Sequence, residues 1–417
     1  MKTIIYKLKA YYLVILAGLF LMTSCNKDLE EFAAIAKPVY PTGNGIAATL
    51  AANANYTMYA ALITRAGMTN LLNDSTKSFT LFATDNTGMR IFVSVASGGA
   101  IPPSGAPDAT YLGFISSLLP VPNAAGIVQY NTVGTKFPAA SIGTAFPNYP
   151  LTTQIILDPT QPFVRMPIFP VRGTPYSYVN NLPLIATDMA AANGIIHTAY
   201  SVVVPPSATL KTVLATESTL SYFRAAIARA DSGSVGLSKF DSLLNYGVTN
   251  MTVLAPNDAA FQTLVFGLVY SQVFAATGSV AIATATANGA VAAGPAFLST
   301  NNVSTALIKG IVAYHLLASL TSSTATPYQP NIRVFSNNVP ATPLFIKTLV
   351  NGGIAAHPGV LAQATYVGPA VTSLKFSSYG SFPPGGAPFS YTATALTLDK
   401  HAVNGVYHII DKVLLPQ

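Results

Sequence analysis

Apolar and polar residues follow one another in an order that predicts a short series of elements in the first half of the chain. Residues 46–72 carry apolar side chains at near-helical spacing, which predicts helix with a stop near Gly67. The β-branched and aromatic run 78–83 predicts a strand, and residues 84–88 predict the turn that ends it. The middle of this half is rich in proline, which predicts loops between short apolar runs.

The second half repeats this order. Residues 220–230 have a helical apolar pattern, and residues 250–255 match the earlier strand. A proline ends that strand, and Asn257 or Asp258 is placed to cap a following helix. The low-complexity Ala/Gly/Thr segment 275–299 predicts either an inserted loop or a frayed helix.

The clearest repeat is the pattern Asp-x4-Asn-Gly-x2-His-x7-Pro. Residues 188–205 and 399–416, aligned without a gap, share 7 of 18 identities. Asn-Gly tolerates positive φ and predicts a turn, and the apolar run that follows predicts a closing strand ended by proline. The motif residues are Asp188, Asn193, Gly194 and His197 in one copy, and Asp399, Asn404, Gly405 and His408 in the other.

A third matched piece supports a duplication. Residues 126–131 correspond to residues 310–315, and all three landmarks occur in the same order in both halves. The sequence therefore predicts two copies of one domain, at 42–206 and 207–417. From strand to Asn-Gly the second copy is about 40 residues longer, which predicts insertions there.

The N-terminus predicts export. Three lysines precede an uncharged run from residue 10 to residue 21, which is typical of a secretory signal over residues 1–24. The chain's single cysteine, Cys25, stands where this signal ends, and the surroundings resemble a bacterial lipobox with a lipidated cysteine. Residues 25–41 then form a tether, whose acidic patch resembles the surface-export signal of lipoproteins from the Bacteroidota. The alternative is that residues 25–41 are an ordinary solvent-exposed tether without an export signal.

The second half resembles the fasciclin family. Residues 252–261, Thr-Val-Leu-Ala-Pro-Asn-Asp-Ala-Ala-Phe, resemble its first signature, and residues 404–416 resemble its second. Residues 313–315, Ala-Tyr-His, resemble the central Tyr-His motif. The first half departs from the pattern, because residues 83–85 lack the proline and Asn131 stands in place of the histidine.

This resemblance implies an α+β fold of two fasciclin-like domains, each a β-sandwich or wedge with packed helices. It also implies a non-catalytic module that binds matrix, cells or partner proteins. In animal members the Tyr-His region is linked to receptor binding, so the resemblance makes Tyr314 and His315 candidates for a binding site. The competing interpretation is that both side chains are buried.

The residue composition limits the classes of partner that this protein is expected to bind. Hydrophobic residues make up 51% of the chain and charged residues 8%, so sizeable cores can form under an uncharged polar surface that suits an extracellular protein. The net charge of +7 falls to +4 once the three signal-segment lysines are removed. No dense Lys/Arg block remains, so nucleic-acid binding has no electrostatic basis.

No motif predicts catalysis, a metal site or a cofactor. The acids beyond the tether are isolated, and the five histidines show no metal-ligand spacing. His197 and His408 are interpreted as core residues that find hydrogen-bond partners. Asp188 and Asp399 are expected to bond backbone amides in the turn before Asn-Gly.

Tyrosine is the abundant side chain that could recognise a partner, with 21 Tyr and no Trp in the chain. The set expected to be exposed lies in or beside the insertion of the second domain: Tyr366, Tyr379 and Tyr391. We therefore expect a surface-exposed lipoprotein of the outer membrane that binds a protein partner, held there by a lipid on Cys25. The alternatives are a glycan-capture accessory of a nutrient-uptake system and a periplasm-facing orientation.

Overall fold

The computed structural model describes Tyr12 and residues 39–143, 150–173, 175–299, 303–320, 328–329, 332–382 and 385–417. Apart from Tyr12, the predicted signal segment lies outside the described residues, as do Cys25 and most of the predicted tether. Residues Thr42–Gln417 form one compact unit that holds both predicted domains.

The first half combines six α-helices with one sheet of eight strands among its described residues. The helices are α1 (Ile46–Ala51), α2 (Thr57–Arg65), α3 (Thr69–Leu72), α4 (Asn86–Ala96), α5 (Asp108–Gly113) and α6 (Val121–Tyr130). The strands are β1 (Phe79–Thr84), β2 (Thr132–Val133), β3 (Leu151–Ile156), β4 (Arg165–Ile168), β5 (Pro170–Arg172), β6 (Ser177–Val179), β7 (Leu182–Ala191) and β8 (Gly194–Ala199). Their order in the sheet is β4-β3-β2-β1-β8-β7-β6-β5.

The second half repeats this plan, and some of its elements are longer. Its helices are α7 (Leu210–Thr216), α8 (Ser221–Ala230), α9 (Phe240–Asn245), α10 (Asp258–Thr277), α11 (Val280–Ala292) and α12 (Thr305–Tyr314). Its strands are β9 (Met251–Pro256), β10 (Leu316–Leu317), β11 (Ser319–Leu320), β12 (Tyr328–Gln329), β13 (Leu344–Ile346), β14 (Val360–Val367), β15 (Ala370–Ser378), β16 (Tyr391–Ala402) and β17 (Gly405–Ile410). The main sheet runs β10-β9-β17-β16-β15-β14-β13, and β11 pairs with β12.

Each sheet is built around one parallel pair. β1 pairs with β8 from Phe79 opposite Gly194, and β9 pairs with β17 from Met251 opposite Gly405. One face of each central strand packs on helices and the other on outer strands of the same sheet, so each half has two apolar cores. The expected α+β class, with helices packed on a sheet in each of two halves, is confirmed.

Two local predictions were wrong, and one pair of alternatives was decided. Residues 84–88 do not form a turn: Asp85 caps α4, accepting a hydrogen bond from the Gly88 amide. For the segment 275–299 the helical alternative is confirmed, because the segment contains the end of α10, the whole of α11 and a 3-10 helix. The separate helices α1, α2 and α3 replace one continuous helix, although the stop at Gly67 is confirmed by its φ of +69°.

The Asn-Gly turn also differs from its prediction. The hairpin turns are residues 192–193 and 403–404, so each asparagine ends the turn and each glycine begins a strand. None of the four residues of the two Asn-Gly pairs has a positive φ. The closing strands are Gly194–Ala199 and Gly405–Ile410, and the valine and leucine runs before the prolines follow them outside the sheet. The cap predicted at Asn257 is confirmed, because its side chain accepts a hydrogen bond from the Ala260 amide at the start of α10.

Candidate functional site

The motif asparagines connect three segments in each half. Asn193 is buried, accepts a hydrogen bond from the Ile46 amide and donates to the carbonyl oxygens of Leu72 and Asp74. Its side chain therefore ties the start of α1 and the end of α3 to the hairpin. Buried amides that make all these bonds hold their neighbours in one arrangement.

Asn404 makes the same set of bonds in the second half. It accepts from the Leu210 amide at the start of α7, and it donates to the carbonyl oxygens of Leu244 and Tyr246 at the end of α9. The adjacent glycines are required by close approach: a Cβ at Gly194 would lie 2.2 Å from the Phe79 carbonyl oxygen, and at Gly405 2.4 Å from that of Met251. The Asn-Gly pair is therefore a packing element.

The motif histidines are buried, and both ring nitrogens of each have backbone partners. His197 Nδ1 accepts from the Asp188 amide at 3.3 Å, and Nε2 donates to the Phe137 carbonyl oxygen at 2.8 Å. His408 bonds in the same way to the Asp399 amide and, at 2.9 Å, to the Val334 carbonyl oxygen. Burial lowers the pKa of His197 below its ordinary value. Both imidazoles fasten a hairpin strand to a neighbouring segment.

The motif aspartates bond amides from distant segments instead of amides in their own turn. Asp188 accepts from the Ala139 amide, and Asp399 accepts from both the amide and the hydroxyl of Ser336. Both residues have positive φ, +62° and +57°, at irregularities in β7 and β16. Aspartate tolerates this conformation, so its use here is structural.

The candidate binding pair Tyr314 and His315 is wholly buried. The Tyr314 hydroxyl donates to the Gly359 carbonyl oxygen and accepts from the Tyr379 amide. His315 donates through Nδ1 to the Ile311 carbonyl oxygen and accepts at Nε2 from the Leu414 amide. Burial lowers the pKa of His315 to about 4 and raises that of Tyr314. Neither side chain reaches the surface, so the expectation that Tyr314 and His315 contact a binding partner is corrected.

The tyrosines expected to be exposed are half-buried. The Tyr366 hydroxyl donates to the Val339 carbonyl oxygen, and Tyr379 packs its ring against His357 and Phe389. Tyr391 lies beneath Lys412, whose Nζ is 5.2 Å from the ring centroid. These contacts leave no open platform of stacked rings on which a sugar could lie. The exposed tyrosines of the described residues are Tyr12, Tyr40, Tyr176, Tyr200 and Tyr246.

Arg333 forms the centre of the contact between the two halves, and no sequence pattern predicted this role. Its side chain is 1% exposed and donates to Asn250 Oδ1, to the Val403 carbonyl oxygen and to His401 Nε2. From the first half, the Phe169 ring centroid lies 4.8 Å from the guanidinium carbon. None of the ion pairs among the described residues includes Arg333.

This buried cation shapes its surroundings. Burial lowers the pKa of Arg333 to about 10, and burial together with the arginine's charge lowers the pKa of His401 well below its ordinary value. Two further bonds join the halves: the Tyr178 hydroxyl donates to the Pro369 carbonyl oxygen, and Asn337 Nδ2 donates to the Asn180 carbonyl oxygen. The halves are therefore held by specific polar contacts around one arginine.

The insertion of the second half forms an apolar groove. α10, α11 and the segment before α12 enclose about 940 Å³, lined by aliphatic side chains, Phe297 and a few uncharged polar groups. Along α10 the rings of Phe266, Tyr270 and Phe274 stack at centroid distances of 5.9 and 5.8 Å. This hairpin has no counterpart of similar length among the described helices of the first half.

No group of three or more His, Cys, Asp or Glu side chains is placed to hold a metal ion in the described part of the chain. By length and composition α10 could cross a membrane, and the bent pair Asp108–Leu118 with Val121–Tyr130 passes the same criterion.

Comparison with known proteins finds similarity to solved structures. The chain matches no protein-family model and no curated protein sequence. Among solved structures it is similar to a FAS1 domain pair from the insect cell adhesion molecule Fasciclin I, with 12% identity and a TM-score of 0.32. The match covers 86% of this chain and 96% of that chain.

Proposed function

We propose that this chain is a non-catalytic cell-surface lipoprotein with tandem fasciclin-like domains, which mediates adhesion or binds matrix, cells or partner proteins. Support comes from the three signature-like segments of the second half and from the export signal ending at Cys25. In this proposal the lipid on Cys25 holds the protein at the outer membrane, and the acidic tether carries it to the outer face.

The observation that carries the proposal is the use made of the polar motif residues. In both halves the Asn and His side chains are buried and bonded to the backbone of distant segments. A duplicated motif used in this way maintains a scaffold, because its donors and acceptors are already satisfied. Recognition is then left to surface elements that the scaffold carries, which is the arrangement of a binding protein.

Two experiments test this function. Intact cells are treated with protease and blotted for the protein: loss of the signal supports an outward orientation, and full protection contradicts it and favours a periplasm-facing protein. Binding of the full chain to matrix proteins, partner proteins and glycan arrays is then compared with Asn404→Ala. Binding should fall only as far as the variant unfolds. Loss of binding by a fully folded Asn404→Ala protein would show that the motif is itself a binding site.

The glycan-capture alternative has weaker support. Carbohydrate rings are held by open aromatic faces, and Tyr366, Tyr379 and Tyr391 are half-buried. Specific retention on the glycan array, with no binding to protein partners, would nevertheless decide in favour of glycan capture.

A further inference from the structure

The hairpin of α10 and α11 is the least charged part of this protein. From residue 259 to residue 308 the chain has 50 consecutive residues without Asp, Glu, Lys, Arg or His, bounded by Asp258 and Lys309. Uncharged stretches of this length are uncommon, since a typical chain has about one charged residue in four. The hairpin is therefore suited to an environment in which charges are costly.

Large apolar side chains are exposed at the tip of this hairpin. Phe274 at the end of α10 is 41% exposed, and Val280 and Ile282 at the start of α11 are 59% and 52% exposed. Gly278, with a φ of +63°, makes the reversal between the two helices. The exposed side chains further along α11 are small or polar, such as Thr286 and Asn288. The apolar surface is thus concentrated at the end of the hairpin.

Several polar groups at the tip have hydrogen-bond partners within the hairpin. The Gly278 amide donates to the Phe274 carbonyl oxygen, and the Thr277 hydroxyl donates to the Val273 carbonyl oxygen. The Ser279 hydroxyl oxygen accepts from the Ile282 amide, which caps α11. Polar groups that already have partners can leave water at small cost, whereas unpaired ones cannot.

We propose that the tip of this hairpin, residues 274–282, inserts into the acyl layer of a lipid bilayer. An apolar and uncharged tip fits hydrocarbon, and the helices on either side keep their backbone groups bonded as a membrane requires. Because no cation lies on the hairpin, insertion requires no anionic headgroup and is insensitive to salt. This membrane contact goes beyond the proposed adhesion role and does not depend on it.

Two other occupants fit the tip less well. A second copy of this chain would need an apolar stripe along the hairpin, and the exposed length of α11 carries threonine and asparagine. A sugar would need an open ring face, but Tyr270 and Phe274 stack at 5.8 Å with 5° between their planes and cover one another. A bilayer accepts the end of a hairpin without either feature.

The test uses the full chain with Cys25→Ser, which leaves no native cysteine. Ile282→Cys is labelled with an environment-sensitive dye, and the protein is mixed with phosphatidylcholine vesicles whose acyl chains carry bromine. The matched control is Val235→Cys. Val235 is 78% exposed and directly precedes the 3-10 helix Gly236–Ser238, outside the hairpin. We expect blue-shifted emission and about threefold or stronger quenching at position 282, and neither at position 235.

Two further variants locate the contact. Adding Phe274→Asp to the labelled protein should abolish quenching, whereas adding Leu237→Asp, at another exposed apolar position, should leave it intact. Quenching should be equal with and without phosphatidylglycerol, and between about 0.1 and 0.5 M salt. Water-like emission at position 282 in vesicle-bound protein, or failure to bind vesicles, overturns the proposal. Shielding of the dye without vesicles, with a doubled mass in sedimentation, overturns it in favour of a second copy.

Discussion

The two halves of this protein share a hydrogen-bonded frame and differ in what the frame carries. Thr80 accepts from the Phe137 amide and donates to the Thr135 carbonyl oxygen, and Thr252 repeats this with Val334 and Ile332. Together with the motif Asn, His and Asp residues, these bonds fix the parallel pair at the centre of each sheet. The frame is retained because each member satisfies backbone groups that would otherwise be buried without partners.

The two halves differ at the residue that follows helix α6 in the first half and helix α12 in the second half. Asn131 donates to the carbonyl oxygens of Ile127 and Val203, and its Oδ1 has no partner among the described residues. His315 also donates to the residue four positions earlier, but it accepts from Leu414. Two different side chains thus join equivalent segments in the two halves. The bond to the chain after the closing strand runs in opposite directions, because Asn131 donates to Val203 and His315 accepts from Leu414. Only the second half has a titratable group there.

The largest effect is expected for Asn404→Ala. Removing the side chain leaves the Leu210 amide and the Leu244 carbonyl oxygen without partners. It also removes one of two bonds to the Tyr246 carbonyl oxygen, so the free energy of unfolding should fall by about 3–4 kcal/mol. Urea unfolding measures it. Asn193→Ala should cost a similar amount if the frame is equivalent in both halves. A cost below about 1 kcal/mol in either half would contradict the equivalence.

The contact between the halves is tested by Arg333→Met. Methionine keeps much of the volume but leaves Asn250 Oδ1, the Val403 carbonyl oxygen and His401 Nε2 without their donor, so we expect a loss of about 2–3 kcal/mol. Urea unfolding should also become broader as the halves begin to separate. A sharper or unchanged transition would show that the halves are held by other contacts. Lys77→Met, at an exposed ion pair, is the control.

Acid should destabilise the second half through His315. Its pKa is about 4 in the folded chain against an ordinary 6.5, so the unfolded state binds the proton more tightly and stability falls as the pH falls below 6.5. By pH 5 this histidine should account for a loss of about 2 kcal/mol. In His315→Asn, which copies Asn131, that part of the pH dependence should disappear. Burial also lowers the pKa of His197, which both proteins retain, so the difference between them isolates His315.

The smallest effect is expected at the motif aspartates. Asp399→Asn weakens two bonds from Ser336 and should cost about 1 kcal/mol, whereas Asp188→Asn weakens one exposed bond and should cost about half as much. Asparagine keeps the tolerance for positive φ, so backbone strain does not contribute. Thermal unfolding of the two variants side by side would reveal whether this order holds. Equal costs would mean that Ser336 does not distinguish the halves.

Several elements were predictable because their signals are local. The central strands around residues 80 and 252, helix α8 and the cap at Asn257 agree with the predictions closely. The helical outcome at 275–299 was one of two alternatives, since alanine favours helix while the glycines and low complexity favour a loop. Packing of α11 against α10 decided between them. The turn predicted at 84–88 failed because one aspartate serves equally as a turn residue and as a helix cap.

The sequence by itself determined that this protein has two related halves, that each is α+β, and that the motif histidines lie among apolar neighbours. Repetition and apolar spacing are properties of the chain, so they can be read without a structure. The tertiary structure decided that Asn193 and Asn404 act through side chains bonded to residues 147 and 194 positions away. It also decided that Arg333 joins the halves, because its partners are distant in sequence and no local pattern marks a residue whose neighbours come from elsewhere in the fold.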